Sequence, residues 1–151
     1  MKYLLDTCVL SELNKKSPDK GVIAWLKAAN PSSLYLSVMT IGEIKKGIAK
    51  SDDDEHALKL EAWLDNQIRI PFADRILPID ERVALMWGRL SGVGERFGKP
   101  RASVDALIAA TAGVYGLAIV SRNTRHLSGM GVDVINPWTG QDAPFDRLRG
   151  E

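Results

Sequence analysis

The chain has 151 residues, 45% of them hydrophobic and 26% charged, which is typical of one globular domain and excludes a disordered or collagen-like chain. The 20 basic residues nearly balance the 19 acidic ones, so the net charge gives no reason to expect nucleic-acid binding, and any such function must rest on a local site. The single cysteine, Cys8, excludes an internal disulfide framework and a cysteine-based zinc cluster, and it favours a reducing, cytoplasmic compartment.

Short apolar runs alternate with segments of helical periodicity along the chain. Strands are predicted at residues 3–5, 34–38, 76–79, 117–121 and 132–135, and helices at 22–29, 41–49, 51–68, 80–97 and 103–115. Pro78 favours an edge position in the sheet for the third strand. The alternation predicts an α/β fold with a mainly parallel sheet of about five strands and helices on both faces.

One domain is expected over residues 1–138, and the polar residues 139–151, interrupted by glycine and proline, are expected to form a C-terminal tail. No apolar run reaches the roughly 18 residues that a membrane span requires. The N-terminal apolar residues run directly into Asp6, which leaves no room for the apolar region of a signal peptide. We therefore expect a chain without a membrane anchor.

Four polar side chains lie where predicted strands end or the following helices begin. Asp6 follows the first strand and Asn123 follows the fourth. Glu43 is expected in the first turn of the helix at 41–49, and Asp105 in the first turn of the helix at 103–115. Because the carboxyl ends of parallel strands meet at one edge of a sheet, where open α/β sheets bind ligands, these side chains are expected to converge on one pocket.

Each of these residues also has a simpler explanation. Asp6 and Asn123 are good N-caps, the segment from Thr40 to Glu43 fits a capping box, and the helix dipole favours Asp105 in a first turn. Together, however, three acids at one edge repel one another unless a cation lies between them. Carboxylates without a histidine or cysteine cluster are the ligand set of Mg²⁺ or Mn²⁺. Such a site suits phosphodiester hydrolysis by a metal-activated water.

Side chains beside these acids are candidates for substrate binding. The hydroxyls of Thr7 and Ser121 could contact a metal-bound water or a phosphate, or they could cap their own helices. Arg122 and Arg125 flank Asn123 and could bind phosphate, and a solvated surface position is an equal alternative.

Two further titratable residues are expected at the surface. Glu12 follows Asp6 by about two helical turns. It could reach the rim of the pocket, but an exposed helix acid is the favoured interpretation. His126 could shuttle protons if a helix begins near residue 123, but a histidine on a helix surface is favoured there too.

The residues around these positions match one known family in order. The matching segments are LLDT at 4–7 with Ser11 and Glu12 behind it, LSVMTIGE at 36–43, RILPID at 75–80, VDALIAATA at 104–112, SRNT at 121–124 and NPW at 136–138. Each segment alone is a weak signal. Together they cover nearly the whole chain, and it resembles the PIN-domain ribonucleases, in particular the VapC/FitB-like toxins of type II toxin–antitoxin systems.

The resemblance implies a three-layer α/β/α fold and a Mg²⁺- or Mn²⁺-dependent endoribonuclease that leaves a 5′-phosphate. It implies that Asp6, Glu43 and Asp105 are the metal-binding acids. The fourth position of the family is usually Asp and is Asn123 here, which removes one negative charge and weakens any second metal site. The implied partners are an RNA substrate, a cognate antitoxin whose C-terminal segment covers the site, and a second copy in a homodimer that can join a larger toxin–antitoxin assembly.

Two alternatives remain open from the residues. The first is a PIN-like domain whose Asn123 has cost it catalysis, kept as a module that binds RNA or protein. The second is a phosphotransfer receiver-like domain, which is also α/β and also has an acid beside Mg²⁺. Receiver domains carry a paired acid after the first strand, which the segment Asp6-Thr7-Cys8 does not supply.

Overall fold

The computed structural model describes residues 1–138. Its strands are β1 (Tyr3–Leu5), β2 (Leu34–Ser37), β3 (Ile76–Leu77), β4 (Ala118–Val120) and β5 (Val134–Ile135). Its helices are α1 (Thr7–Leu13), α2 (Lys20–Ala28), α3 (Val38–Ala49), α4 (Asp54–Trp63), α5 (Glu81–Arg96), α6 (Ser103–Tyr115) and α7 (Thr124–Leu127), with a 3₁₀ turn at Pro31–Ser33 and a π-helical segment at Leu64–Arg69. The predicted tail, residues 139–151, lies outside the described residues.

The five strands form one parallel sheet in the order β3-β2-β1-β4-β5. β1 is central, and its Leu4 pairs with Tyr35 on one side and Ile119 on the other. The predicted parallel α/β sheet is confirmed, and β3, just before Pro78, lies at an edge. From β1 the chain builds outward to β2 and β3 and then returns to add β4 on the opposite side. The strand order therefore reverses between β1 and β4, and such a reversal opens a crevice at the carboxyl ends of the strands.

Alternate side chains of the central strands fill two separate cores. Leu4 and Ile119 are fully buried in a cluster with residues of α6 and the segment before β5. Leu5 and Val120 face the other way and pack with residues of α1, α2 and α3. Successive side chains of a strand point to opposite faces, so both faces of the sheet are covered. The predicted three-layer α/β/α arrangement is confirmed.

Helix α3 begins earlier than the sequence analysis predicts. Its first residue is Val38 and its N-cap is Ser37, whose hydroxyl accepts a hydrogen bond from the Met39 amide at 3.0 Å. Thr40 is therefore a buried residue inside the helix and not a cap. The interpretation of Thr40–Glu43 as a capping box is wrong because a better cap ends the strand three residues earlier. Glu43 consequently lies in the second turn of α3, one turn further along than predicted.

The predicted helix over residues 51–68 divides into two parts. α4 begins after Asp53, whose carboxylate accepts from the His56 amide at 3.1 Å, and it continues into the π-helical segment that ends at Arg69. The wider turns of that segment bring Leu64 and Ile68 into the core, where they are 2% and 1% exposed. Among residues 1–138, no helix is long and apolar enough to cross a membrane.

Candidate active site

Asp6 lies at the carboxyl end of the central strand, at the point where the strand order reverses. Its backbone amide continues the β1–β4 ladder with a 3.0 Å hydrogen bond to the Val120 carbonyl. Its carboxylate is the N-cap of α1, with Oδ1 accepting from the Thr7 amide at 2.9 Å. The residue is only 7% exposed. The fold therefore holds a nearly buried carboxylate at the crevice.

Ser121 joins the end of β4 to Asp6. Its hydroxyl donates to Asp6 Oδ2 at 2.8 Å and accepts from the Asn123 amide at 2.9 Å. The Cys8 thiol lies 3.5 Å from the same hydroxyl. Ser121 is fully buried, and its hydrogen bond fixes the orientation of the Asp6 carboxylate.

Glu43 reaches the same region from α3. The Thr7 hydroxyl donates to Glu43 Oε1 at 2.7 Å, so Thr7 ties α1 to α3 across the end of the sheet. Glu43 is half-buried and lines two grooves, one toward Trp63 and the other toward Lys46 and Lys50. Thr7 therefore bonds to both acids, because its backbone amide donates to Asp6 and its side-chain hydroxyl donates to Glu43.

Asp105 projects from the first turn of α6, as predicted. The helix is lined with small buried residues such as Ala106, Ala109 and Ala110, which let its backbone approach closely. Burial raises the pKa of the Asp105 carboxyl above its usual value; the nearby charge of His126 lowers it, and the negative charge of Asp6 raises it further. The structure therefore brings Asp6 and Asp105 within electrostatic range of each other.

The raised pKa of Asp105 predicts that this carboxylate destabilises the fold at neutral pH. Below the ordinary value of 3.8, Asp105 is protonated in both folded and unfolded chains and carries no penalty. The penalty builds as the pH rises from that value to the folded pKa, because the unfolded chain loses its proton first, and it is complete above the folded pKa. We expect Asp105→Asn to raise the melting temperature at pH 7 by a few degrees at most, because the carboxyl is only part-buried and solvent screens its charge, and 1 kcal/mol corresponds to about 2–4 °C at this size.

Thermal unfolding followed by circular dichroism at pH 7 and at pH 4 checks this prediction. The gain should shrink at the lower pH. Asp52→Asn, which removes an exposed carboxyl before α4, is the control for the loss of one negative charge. A lower melting temperature for Asp105→Asn than for Asp52→Asn at pH 7 would contradict the destabilising effect that we assign to the charged Asp105 carboxylate.

Asn123 and Arg122 lie at the exposed edge of this region. Asn123 is the N-cap residue of the short helix α7, but its side chain makes no capping hydrogen bond. Its carbonyl accepts from the amides of His126 and Leu127, both at 3.2 Å. The Arg122 guanidinium lies 5.7 Å from the centre of the Trp138 ring. Both side chains are exposed to solvent.

No Lys or Arg side chain of the described residues forms an ion pair with the three acids. Within residues 1–138, none of the ion pairs with Lys or Arg involves Asp6, Glu43 or Asp105. A nearly buried carboxylate with no charged partner is costly, and a second one nearby adds repulsion. The donors present are carboxylate and hydroxyl oxygens, which hard divalent cations prefer. The residues therefore fit a divalent cation, and Asp6 and Asp105 are the acids that could hold it.

The acids do not, however, form a preassembled three-ligand cluster. Over the described part of the chain, no three His, Cys, Asp or Glu groups lie close enough together to hold a metal ion. Glu43 is held by Thr7, one hydrogen bond away from Asp6. Asp6 thus lies within electrostatic range of Asp105 and is joined to Glu43 through Thr7.

Glu12 is buried, and the expectation that it is an exposed helix acid is wrong. It is 5% exposed and pairs with Lys15 at 2.9 Å, and its Oε2 accepts from the Asp19 amide at 2.8 Å. Its carboxylate also hydrogen-bonds the Trp138 side chain. Lys15, three residues after Glu12, is a weak sequence signal of an ion pair. The hydrogen bond with Trp138 has no such signal, because Trp138 lies at the other end of the described chain.

Comparison with known proteins gives one family. The family model described as PIN domain matches residues 3–130. The chain is 36% identical over 135 residues to "Toxin FitB" of Neisseria gonorrhoeae, covering 89% of this chain and 97% of that protein. It is 34% identical over 135 residues to "VapC ribonuclease Y4jK" of Sinorhizobium fredii, covering 89% and 96%. The crystal structure of FitAcB from N. gonorrhoeae matches with a TM-score of 0.84 at 36% identity, covering 91% of this chain and 99% of that one.

Proposed function

Because this chain belongs to the PIN-domain family, among the VapC and FitB toxins of toxin–antitoxin systems, we propose that it is a divalent-metal-dependent endoribonuclease. The observation that carries the proposal is the pair of carboxylates at the crevice between β1 and β4. Asp6 is nearly buried, Asp105 has a pKa raised by burial and by Asp6, and neither is paired with a Lys or Arg of the described residues.

We assign the metal-holding role to Asp6 and Asp105, with Glu43 as the third acid. A bound Mg²⁺ or Mn²⁺ would lower the pKa of a water and stabilise the negative charge that develops on the RNA phosphate. Ser121 keeps the Asp6 carboxylate in one orientation, and Thr7 does the same for Glu43. Hydrogen bonds of this kind support the groups that hold a metal and raise its affinity.

Asn123 and Arg122 are assigned to the substrate side of the site. Both are exposed, and they flank the end of β4 next to Ser121. The Arg122 guanidinium can pair with a phosphate oxygen of the RNA. The Asn123 amide can bind water or a ribose hydroxyl without adding negative charge where the substrate brings its own. We propose that cleavage leaves a 5′-phosphate on the product.

The proposed partners beside RNA are an antitoxin protein and a second copy of the chain. Leu85, Val93 and Phe97 are 69%, 47% and 66% exposed and lie on α5 or just after it. Large apolar side chains exposed along one helix are consistent with a surface that another protein covers. These exposed side chains support the proposed homodimer.

Growth of a bacterial host tests the toxin function. Induced expression of the wild-type chain without an antitoxin is expected to stop growth, because uncontrolled RNA cleavage halts protein synthesis. Asp105→Asn is expected to allow normal growth at the same protein level, since it removes one of the two carboxylates to which we assign the metal-holding role. Asp52→Asn is the matched control and should stop growth like the wild type.

The result that contradicts the proposal is equal growth of cells that express the wild type and Asp105→Asn at equal levels. If the purified chain then still bound RNA or an antitoxin, the outcome would favour a module that binds without cleaving.

A further inference from the structure

A pocket rich in positive charge borders Asp105, and the proposed function uses none of its other lining residues. It has a volume of about 360 Å³. The loop before α6, the first turn of α6 and the short helix α7 line it, through Pro100, Arg101, Ala102, Asp105, Arg125 and His126. Three of these six side chains can carry a positive charge, and Asp105 is the one acid among them.

Arg101 is held in place by the surrounding backbone. Its Nη1 donates to the Ser128 carbonyl at 3.0 Å. A Cβ added at Gly129 would lie 3.0 Å from its Nη2, and one added at Gly94 would lie 3.3 Å from its Cγ. The side chain therefore runs between the end of α5 and the turn at 128–129. An arginine fixed in this way loses little further conformational entropy when it binds a ligand.

The positive charge of the pocket is not balanced by the protein. Within residues 1–138, neither Arg101 nor Arg125 forms an ion pair with a carboxylate. Against the single negative charge of Asp105 stand two guanidinium groups, and a protonated His126 adds a third positive charge. The chain as a whole carries a net charge of only +1. This local excess therefore reflects where the charges lie and not a generally basic protein.

We propose that this pocket binds a backbone phosphate of single-stranded RNA, the one adjacent to the phosphate that reacts at the Asp6–Asp105 pair. The inference rests on the proposed function for its choice of ligand. Guanidinium groups present paired N–H donors that match phosphate oxygens, and a fixed Arg101 with an exposed Arg125 can bind such a group from two sides. Asp105 borders both the pocket and the candidate active site, so an RNA strand bound in one continues into the other.

Binding of a labelled 12-nucleotide RNA of mixed sequence, followed by fluorescence anisotropy in EDTA over a series of KCl concentrations, tests the proposal without cleavage. Loss of one phosphate contact to a single strand lowers the slope of log K against log salt by about 0.7. We expect this change for Arg125→Gln. Arg101→Lys keeps the charge but removes the paired donors, so it should weaken binding several-fold with a smaller change of slope. Arg69→Gln, on an exposed arginine that lines none of these pockets, should match the wild type.

Two results would overturn the proposal: the same slope for Arg125→Gln, Arg69→Gln and the wild type, or no salt-dependent RNA binding by the wild type. An unchanged slope is also what a pocket for an acidic protein segment would give. The proposed function fails separately. If the wild type binds RNA with the predicted slopes but never cleaves it with Mg²⁺ or Mn²⁺, the pocket stands and the nuclease assignment falls.

Discussion

Replacing Asp6 with asparagine is expected to reduce metal-dependent RNA cleavage by on the order of 10³-fold. A metal ion contributes several kcal/mol of charge stabilisation in the transition state, and each 1.36 kcal/mol is worth a factor of about ten in rate. Both oxygens of the Asp6 carboxylate accept hydrogen bonds, from Thr7 and Ser121, so its orientation is fixed. The measurement is the initial rate on a labelled RNA with Mn²⁺, with the wild type and Asp52→Asn as references.

The same substitution should leave the fold intact. An asparagine has the shape of aspartate, and its amide oxygen can still accept from the Thr7 amide. Its NH₂ group can donate to Ser121, whose hydroxyl then donates elsewhere. Circular dichroism spectra and melting temperatures should therefore match those of the wild type within a few degrees. Cleavage by Asp6→Asn within tenfold of the wild-type rate, lost on addition of EDTA, would contradict the role assigned to Asp6.

The largest effect on stability is expected from Glu12→Ala, which should lower the free energy of unfolding by about 2–5 kcal/mol. The buried carboxylate accepts from the Asp19 amide and hydrogen-bonds the Trp138 side chain. Its removal takes an acceptor away from the part-buried Asp19 amide and from the buried Trp138 side chain, at about 1–3 kcal/mol each. Glu12→Gln, which keeps an acceptor oxygen, should cost less. Urea unfolding measures both, and Glu95→Ala on the exposed surface of α5 should stay within about 0.5 kcal/mol.

The cost of Glu12→Gln should depend on pH. Burial by itself would raise the pKa of Glu12, but the Lys15 ion pair and the hydrogen bonds from Asp19 and Trp138 outweigh it, and the pKa lies below its ordinary value of 4.5. The charged form therefore stabilises the fold above that value, and this contribution is lost as the pH falls through the folded pKa. A difference between wild type and Glu12→Gln that grows on acidification would contradict this account.

The position of the candidate site was predictable because it follows from the topology. Apolar runs mark the strands, and a parallel sheet brings their carboxyl ends to one edge. Asp6 and Ser121, 115 residues apart, therefore meet at 2.8 Å. The first turn of α6 was also clear from the apolar run behind Asp105, and the structure has the helix beginning at Ser103 as expected.

Details that depend on distant partners were not predictable. Glu12 looks like a surface acid because a polar run begins two residues after it, at Asn14. Its carboxylate nevertheless hydrogen-bonds Trp138, which lies 126 residues further on. The start of α3 was ambiguous since Ser37 and Thr40 are both good caps, and only the end of strand β2 decides between them. The pocket at Arg101 and Arg125 depends on how a loop and a short helix pack together, which periodicity does not reveal.

Isothermal titration of the protein with Mn²⁺ in the absence of RNA shows whether the uncompensated charge of Asp6 and Asp105 creates a divalent-cation site. We expect saturable Mn²⁺ binding by the wild type, at least tenfold weaker binding by Asp6→Asn and Asp105→Asn, and unchanged binding by Asp52→Asn. Equal Mn²⁺ affinity in all four proteins, or no uptake of Mn²⁺ by the wild type, would contradict this expectation.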